Sequence, residues 1–280
     1  MRKIALVSTA FAALMMGAAS AADMAARYTK APVAVAPAYG WTGFYIGVNG
    51  GYGWSQDNNN TLSGADTGAG GILSPFGVPQ TFAGIGLAMK SSGALVGGTV
   101  GYNWQQGNYV FGVEADGDWA NIKGSSTAIA GGGVGFLPAF QRVTVTGTKN
   151  LDGLETIRGR IGFLAAPQFL LYATGGLAVG QEKVAIQALG PTFAPPLAAF
   201  NSSTRSKGGY TVGAGAEWKF APQWSVKAEY LYVDLGNQSS TIAYAYPGAT
   251  STATLETKHD YNIARVGLNY QFSKAVVAKY

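Results

Sequence analysis

The chain has 280 residues with a formal net charge of +5, and its composition excludes several protein classes before any motif is considered. Gly supplies 41 residues, about twice the usual share, while charged residues make up 12%, about half of what soluble domains carry. The lack of Cys and the single His exclude disulfide scaffolds, thiol catalysis, Cys-bound zinc or iron–sulfur centres and most multi-His metal sites. We therefore expect no metal and no other cofactor. The charge falls to +3 without Arg2 and Lys3, a bias too weak to indicate a nucleic-acid partner.

The amino-terminal segment has the features of a secretory signal peptide. Arg2 and Lys3 precede an apolar run over residues 4–19, and Ala19-Ser20-Ala21 supplies the small residues of a cleavage site. The alternative, a membrane anchor, is disfavoured because the run is shorter than the ~20 residues that a spanning helix requires. We predict that residues 1–21 are removed during export, and that the Pro- and Ala-rich residues 22–40 form an extended periplasmic lead segment.

From Trp41 onward, apolar residues alternate with small or polar ones, and this period of two indicates β-strands. In the first segment one face carries Phe44, Ile46, Val48, Gly50, Tyr52 and Trp54. The pattern recurs in segments that begin near residues 94, 109, 157, 169, 210, 224 and 262. These segments have roughly 10–14 residues, enough for tilted membrane strands, which need ~9–11.

The connections between these segments alternate in length. Long connections at residues 55–91, 121–150, 181–208 and 236–259 alternate with tight turns at 105–108, 166–168 and 221–223. This rhythm is typical of outer-membrane barrels, which have long outer loops and short periplasmic turns. The predicted fold is all-β: an eight-stranded antiparallel transmembrane β-barrel in up-and-down order over residues 41–272, with a periplasmic tail at 273–280.

Aromatic residues concentrate at both ends of the predicted strands. Such girdles mark the two membrane–water interfaces of a barrel. The alternative of a soluble β-sandwich is disfavoured, because its exposed face would carry plentiful charge, whereas both faces here carry little. The girdle candidates are Trp54, Trp104, Trp119, Trp218, Trp224, Tyr270 and Phe272.

Several motifs in order resemble those of the alphaproteobacterial outer-membrane immunogenic proteins, a family of small, opacity-type, porin-like barrels. They are the aromatic and Gly-rich residues 41–54, Arg158-Gly159-Arg160-Ile161-Gly162, and residues 172–178, 229–236 and 265–272. The resemblance implies a Gram-negative outer-membrane location and no agreed chemical activity. It also implies barrel-assembly machinery and periplasmic chaperones as partners during biogenesis. Phe272 is then the expected assembly signal, with Tyr280 as the alternative.

Ten charged residues fall on the inward face of the predicted strands. An eight-stranded barrel has an interior just wide enough for side chains, and charges removed from water need partners. We predict a structural network of ion pairs that fills the lumen, with Glu114 matched to Arg160, Asp116 to Arg158 and Glu217 to Lys227. The alternative is the charged filter of a narrow pore, since inward glycines such as Gly51 and Gly101 leave space for a water path. The network consists of Glu114, Asp116, Asp118, Arg158, Arg160, Glu217, Lys219, Lys227, Glu229 and Arg265.

The predicted outer loops carry the remaining candidates. A lipid-modifying enzyme would need a nucleophilic Ser beside His259, but no motif fixes Ser239, Ser240 or Ser251 against it, so we expect a solvated His and no catalytic residues. Cations near the outer rim are expected to meet lipopolysaccharide phosphates, and the loops to meet outer-membrane lipids and host or phage ligands. These cations are Arg205, Lys207 and Lys258.

The predicted function is structural. A surface-exposed barrel would contribute to envelope integrity and surface interactions without turnover chemistry. The alternative is a narrow passive pore for ions or very small solutes, and a lipid-modifying enzyme that uses His259 is the third interpretation.

Overall fold

The computed structural model describes residues 39–55, 60–66, 81–131, 142–190, 197–246 and 249–272. The predicted signal peptide, most of the lead segment and the predicted tail lie outside these residues. The described chain folds into ten β-strands, and no helix among these residues is long and apolar enough to cross a membrane. The strands are β1 (Gly43–Ser55), β2 (Asn60–Asp66), β3 (Thr81–Leu87), β4 (Ser91–Gln106), β5 (Tyr109–Gly131), β6 (Arg142–Ala166), β7 (Phe169–Gly190), β8 (Leu197–Lys219), β9 (Trp224–Tyr246) and β10 (Ala249–Phe272).

All strand pairs are antiparallel, and the sheet closes on itself. Strand β1 pairs with β4 on one side and with β10 on the other, and β4 to β10 pair in chain order. Strands β2 and β3 form a hairpin, and β2 adds to β10 through pairs such as Thr61 with Glu256. The predicted count of eight strands is therefore not confirmed, because this hairpin lies within the predicted first loop.

Strands β5 to β10 are about twice as long as predicted, with 22 to 25 residues each. Most of the predicted loops at 121–150, 181–208 and 236–259 are therefore strand. Alternating buried side chains such as Val184, Ile186 and Leu255 give these segments an apolar inner face. The many Gly, Ser, Thr and Asn residues around them hide this alternation in the sequence.

The short connections lie where the sequence predicts them. They leave residues 107–108, 167–168 and 220–223 outside the strands, and we call this end of the barrel the turn end and the opposite end the far end. Gly107 has a φ of 59°, a left-handed conformation that suits a two-residue hairpin turn.

Buried apolar residues form three clusters inside the barrel. The turn-end cluster contains Trp41, Val110, Leu164, Leu170 and Tyr172. The middle cluster contains Leu95, Ile122, Leu151, Leu154, Ala178, Leu231, Val233, Leu235, Tyr261 and Ile263. The far-end cluster contains Leu62, Leu87, Met89, Val143, Val145, Val184, Ile186, Ala188, Ile242 and Leu255. Polar layers lie between them, so the interior is packed rather than open along these residues.

The outward face of the turn-end half is apolar and bounded by aromatic rings. Its exposed aliphatic side chains include Val48, Val96, Ile157, Leu177 and Val266. At the turn end Tyr270 packs against Trp224 and Phe272 with ring centroids 5.1 Å away in each case, and Trp104 and Trp218 are exposed. Farther along, Trp54 lies 6.2 Å from Tyr230, and Trp119 is 77% exposed. A belt of aliphatic side chains between two aromatic rows matches the lipid-facing surface of a barrel.

Candidate functional site

The predicted lumen charges lie where the alternation of five strands turns them inward. Strand β5 supplies three acids, β6 two arginines, β8 and β9 an acid and a lysine each, and β10 one arginine. Every one of these side chains is buried. Along β5 they follow Val110 of the turn-end cluster and precede Ile122 of the middle cluster, so the charges form a layer between two apolar clusters.

Arg158 is the centre of this charged layer. Its guanidinium contacts Glu114, lies 2.7 Å from Asp116 and reaches Glu229 at 3.0 Å. Asp116 also accepts hydrogen bonds from the hydroxyls of Thr99 and Thr156, at 2.7 Å and 2.8 Å. The charges are thus paired and hydrogen-bonded, which is the condition for burying them.

Arg265 ties β10 to the same carboxylates. Its guanidinium donates to Asp116 and Asp118 at 3.0 Å and to Glu229 at 2.7 Å. Asp116 and Glu229 are therefore each shared between two arginines. A layer of shared partners resists rearrangement, because moving one side chain leaves several others unpaired.

Arg160 and Lys227 complete the layer near the turn end. Arg160 donates to Glu217 at 2.8 Å and stacks on the Tyr172 ring at 4.0 Å, while Lys227 donates to Glu114 at 2.9 Å. Tyr45 donates its hydroxyl proton to Glu114 at 2.7 Å.

The pairs of charged residues expected from the sequence are only partly correct. Glu114 lies opposite Arg158 in the β5–β6 register rather than opposite Arg160, and Asp116 lies opposite Thr156. Glu217 and Lys227 are opposite each other, yet Lys227 reaches Glu114 and Glu217 reaches Arg160. The long side chains cross the lumen, so backbone height alone does not determine their partners.

Lys219 lies apart from the network, and it makes no ion pair within the described part of the chain. Its ammonium donates to the carbonyl of Gly40 at 2.6 Å, contacts Gln271 and lies 4.8 Å from the Trp41 ring. The prediction that Lys219 belongs to the ion-pair network is therefore wrong. The reason is its position at the end of β8, next to the chain that enters β1.

Trp41 closes the turn end, a role that the sequence did not reveal. The residue is fully buried, its indole donates to the carbonyl of Pro167 at 3.1 Å, and its backbone N–H donates to Gln105 at 2.9 Å. A Trp directly before a predicted strand carries no signal that distinguishes a plug from a girdle residue.

The inward glycines do not leave a water path at the two positions considered above. A Cβ at Gly101 would overlap the Tyr45 ring, and a Cβ at Gly51 would overlap Arg265. The expectation of empty space at these two positions is therefore wrong, because the Tyr45 ring fills the space at Gly101 and Arg265 of the charged layer fills the space at Gly51.

A second buried polar group lies between the middle and far-end clusters. His259 is fully buried, with Nδ1 2.6 Å from Glu182, and Tyr261 donates to the other oxygen of Glu182 at 2.9 Å. Burial lowers the pKa of His259 below its ordinary value; Lys149 and Lys207 act in the same direction and Glu182 opposes them. The expectation of a solvated loop His is wrong, since the long strands carry this position into the interior.

The His259 group does not form a catalytic arrangement with Ser. Its Nε2 atom has no hydrogen-bond partner among the described residues. Ser239 is exposed, whereas Ser240 and Ser251 are buried. Within the same residues no cluster of three acidic or His side chains is placed to hold a metal ion.

Two of the three candidate rim cations are already engaged. Lys258 forms an ion pair with Asp260 at 3.2 Å, and Lys207 donates to the carbonyl of Asn237 at 2.5 Å. Arg205 is exposed and lies opposite Glu182 in the β7–β8 register.

The chain is similar to known proteins in both sequence and structure comparisons. Residues 9–272 match the outer membrane protein beta-barrel domain. The chain is similar to the 31 kDa outer-membrane immunogenic protein of Brucella melitensis, 32% identical over 97% of this chain and 100% of that protein. It is also similar to the 22 kDa outer membrane protein of Rhizobium leguminosarum bv. viciae, 28% identical over 85% of this chain and 81% of that protein. Among solved structures, OprG from Pseudomonas aeruginosa aligns over 84% of this chain and 99% of that chain, at 10% identity and a TM-score of 0.42.

Proposed function

This chain belongs to the outer membrane protein beta-barrel domain family and is a protein of the Gram-negative outer membrane, and from that premise we propose that it is a structural, surface-exposed barrel with a sealed lumen. Its work is envelope integrity and contact with the surroundings, without turnover chemistry. The names of the relatives support this proposal: the Brucella relative is named as an outer-membrane immunogenic protein and the Rhizobium relative as an outer membrane protein, and neither is named as an enzyme.

Eight strands cross the membrane in this proposal. They are β1 and β4 to β10, the strands that pair around the closed sheet. The turn end faces the periplasm, and the far-end halves of the strands project outside with the β2–β3 hairpin. Support comes from the aliphatic belt between the two aromatic rows of the turn-end half, whereas the far-end half exposes large apolar side chains singly, such as Ile129, Leu189 and Phe200.

The observation that carries the sealed lumen is the charged layer between two apolar clusters. Arg158 and Arg265 hold four carboxylates between them, and every member of the layer is buried. A permeating ion would have to separate these pairs and then cross the middle and far-end clusters without water, which is costly for a charge.

The experiment is single-channel recording of the folded protein in a planar bilayer, beside Arg158→Ala. We expect silence from the wild type, and silence also from Arg158→Ala because the three apolar clusters remain. Folding is checked by heat-modifiable mobility on gels. Steady openings of the wild type that change with Arg158→Ala would overturn the sealed barrel and favour the narrow pore for ions or very small solutes.

A function as a lipid-modifying enzyme is less well supported than the sealed barrel or the narrow pore. Its only candidate base, His259, is fully buried and has no Ser partner in the described residues. Loss of a lipid-hydrolysing activity in His259→Ala, with folding intact, would contradict the absence of turnover chemistry.

Lipopolysaccharide is the proposed lipid partner at the outer rim. The exposed guanidinium of Arg205 is the best placed of the rim cations to meet a phosphate, since Lys207 and Lys258 already have protein partners. Replacing all three cations by Ala should lower the amount of lipopolysaccharide that co-purifies, and Arg205→Ala alone should account for most of the loss. Unchanged lipid content in the triple variant would overturn this contact.

A further inference from the structure

The wall of the barrel has a seam in its far-end half, between β8 and β9. The β8–β9 ladder runs from Lys219 with Ser225 to Tyr210 with Asp234, and no further. Beyond that pair, residues 197–209 of β8 pair with β7, and residues 237–246 of β9 pair with β10. We call the boundary between residues 197–209 and 235–246 the seam. At this boundary the facing edges of the two strands have no ladder between them in the described residues.

Side chains join the two edges of the seam instead of a backbone ladder. Asn201 donates to the carbonyl of Thr241 at 2.7 Å, and Gln238 donates to the hydroxyl of Ser203 at 3.0 Å. Nearest to the membrane, the Lys207 ammonium donates to the carbonyl of Asn237 at 2.5 Å. Among the described residues, these three side-chain bonds stand where a backbone ladder would otherwise join the strands, so parting the wall here breaks fewer bonds than parting it along a continuous ladder.

A β-bulge lies at the point where the seam begins. Leu235 and Gly236 of β9 are opposite the single residue His259 of β10, because the register shifts between Lys258 and Asp260. Gly236 has a φ of 75°, and its N–H donates to the carboxylate of Asp234 at 2.8 Å. A left-handed glycine at a bulge is a built feature that re-aims a strand, and here it turns β9 away from the β8 ladder.

His259 lies inside the barrel at this bulge and faces charged groups from several strands. Glu182 of β7 is its direct partner at 2.6 Å. Lys149 of β6 donates to the carbonyl of Lys258, the residue before His259, and Lys207 of β8 donates to the carbonyl of Asn237, which is opposite Lys258 in the β9–β10 ladder. Other charged groups nearby have their own partners: Asp234 accepts a hydrogen bond from the N–H of Gly236, and Lys258 forms an ion pair with Asp260. The titratable and charged groups of the described residues around it are Lys149, Glu182, Arg205, Lys207, Asp234, Lys258, Asp260 and Tyr261.

Glu182 is the only carboxylate in direct contact with His259 among these residues. With His259 neutral, this carboxylate balances one of the two neighbouring cations. A proton on His259 adds a third cation to Lys149 and Lys207 and brings no further acid. Nε2–H would also be a buried donor without an acceptor in the described part of the chain, since no described residue is a partner of Nε2.

The two neighbouring lysines differ in how firmly they are held. Lys149 is fully buried, donates to the carbonyl of Lys258 at 2.7 Å and lies 4.7 Å from the Tyr261 ring. Lys207 is only half-buried, at the strand edge. We expect Lys207, the less confined cation, to move when the repulsion rises. Its bond to Asn237 is the seam bond that lies nearest to the β8–β9 ladder.

We propose that His259 is a pH-sensitive lock on the seam: its protonation repels Lys207 from Asn237, and β8 and β9 then separate from the end nearest Tyr210. The lock is closed at neutral pH and opens as external acid protonates His259. Opening exposes one side of the far-end cluster, including Ile186 and Ile242, to the surroundings. The lock concerns the far-end half alone, so it does not depend on whether the charged layer seals the lumen.

The test is a distance measurement across the seam with nitroxide labels. The chain has no native Cys, so Thr204→Cys with Ser239→Cys places labels on exposed positions of β8 and β9. A matched pair, Thr146→Cys with Gln187→Cys, lies on residues that are opposite each other in the β6–β7 ladder. Dipolar coupling is recorded for both pairs in the folded barrel at pH 7.5 and at pH 5.0.

We expect the seam pair to lengthen at pH 5.0 by at least one strand spacing, about 5 Å, while the ladder pair keeps its distance. His259→Gln, which stays neutral, should hold the seam pair at its neutral-pH distance in acid. Lys207→Met, which removes the first bond, should lengthen the seam pair already at pH 7.5. A seam distance that ignores pH, or that lengthens equally in His259→Gln, overturns the lock. Gel mobility of each variant establishes that it is folded before its distance is used.

Discussion

Arg158 Nη1 lies 3.0 Å from Glu229 Oε1, although Arg158 is on β6 and Glu229 is on β9. Strands β6 and β9 are not neighbours in the sheet, since β7 and β8 stand between them. This ion pair therefore crosses the lumen and connects opposite walls. A connection of this kind holds the barrel cross-section as well as filling it.

Removing the centre of the charged layer should be costly. Arg158→Ala leaves Glu114, Asp116 and Glu229 buried with one partner fewer each, and we expect the free energy of unfolding to fall by about 3–5 kcal/mol. Urea unfolding in lipid vesicles, followed by Trp fluorescence, measures this. Arg205→Ala removes an exposed arginine and should change the free energy by no more than about 0.5 kcal/mol. Equal losses in the two variants would mean that the crossing contacts contribute nothing specific.

Trp41→Ala should loosen the turn end without opening the barrel. The substitution empties the centre of the turn-end cluster and leaves the carbonyl of Pro167 without its donor, so we expect a loss of about 3–5 kcal/mol. Conductance should stay at zero, because the charged layer and the two other clusters remain. Ion currents through folded Trp41→Ala would show that Trp41 seals the lumen, and they would contradict the proposal that the charged layer does so.

Two glycines on opposite faces of the sheet should respond differently to an added methyl group. A Cβ at Gly101 would overlap Tyr45 and lie 2.7 Å from the carbonyl of Val113, whereas a Cβ at Gly50 would meet its nearest atom at 3.8 Å. Gly101→Ala should therefore destabilise by about 1–3 kcal/mol, and Gly50→Ala should be close to neutral. Refolding yield and urea midpoints of the two variants decide this. A neutral Gly101→Ala would show that the lumen has the spare room that we exclude.

Stability should depend on pH through His259. Its pKa is lowered in the folded protein, so the folded state binds fewer protons than the unfolded state, whose His titrates near its ordinary value of about 6.5. The free energy of unfolding should therefore fall as the pH drops below about 6.5, until the folded His is itself protonated. The free energy of unfolding is measured at pH 7.5 and 5.5 in wild type and in His259→Gln, and the contribution of His259 is the difference between the two changes with pH. Equal changes in the two proteins would exclude a lowered pKa of His259.

The sequence predicts the turn-end half of this barrel well. Strong alternation such as that of Phe44, Ile46 and Val48, tight turns and aromatic strand ends all act locally, so they are legible without a structure. The resemblance to outer-membrane immunogenic proteins is confirmed, and so is the outer-membrane location. The inward charges are also identified by alternation, although Lys219 is not part of their network.

The sequence predicts loops in the far-end half, where the structure has strands, for a physical reason. Its outward face is rich in small polar residues, and the inner residues that alternate with them, such as Val184 and Ile242, are buried only because six strands converge there. Partners such as Glu182 and His259 lie 77 positions apart on strands that are not neighbours, so no local pattern links them. Trp41 likewise becomes a plug only when the turns of other strands surround it.

In the far-end halves of the strands, the residues on the outward surface are different from the residues that hold the fold together. Along β7, Val184, Ile186 and Ala188 face the far-end cluster, while Lys183, Gln187 and Leu189 face outward. Every second residue there therefore belongs to the outward coat of the barrel, and it contributes little to the contacts that hold the strands together. The outward residues of this coat can therefore be substituted one at a time while the inward residues preserve the same barrel.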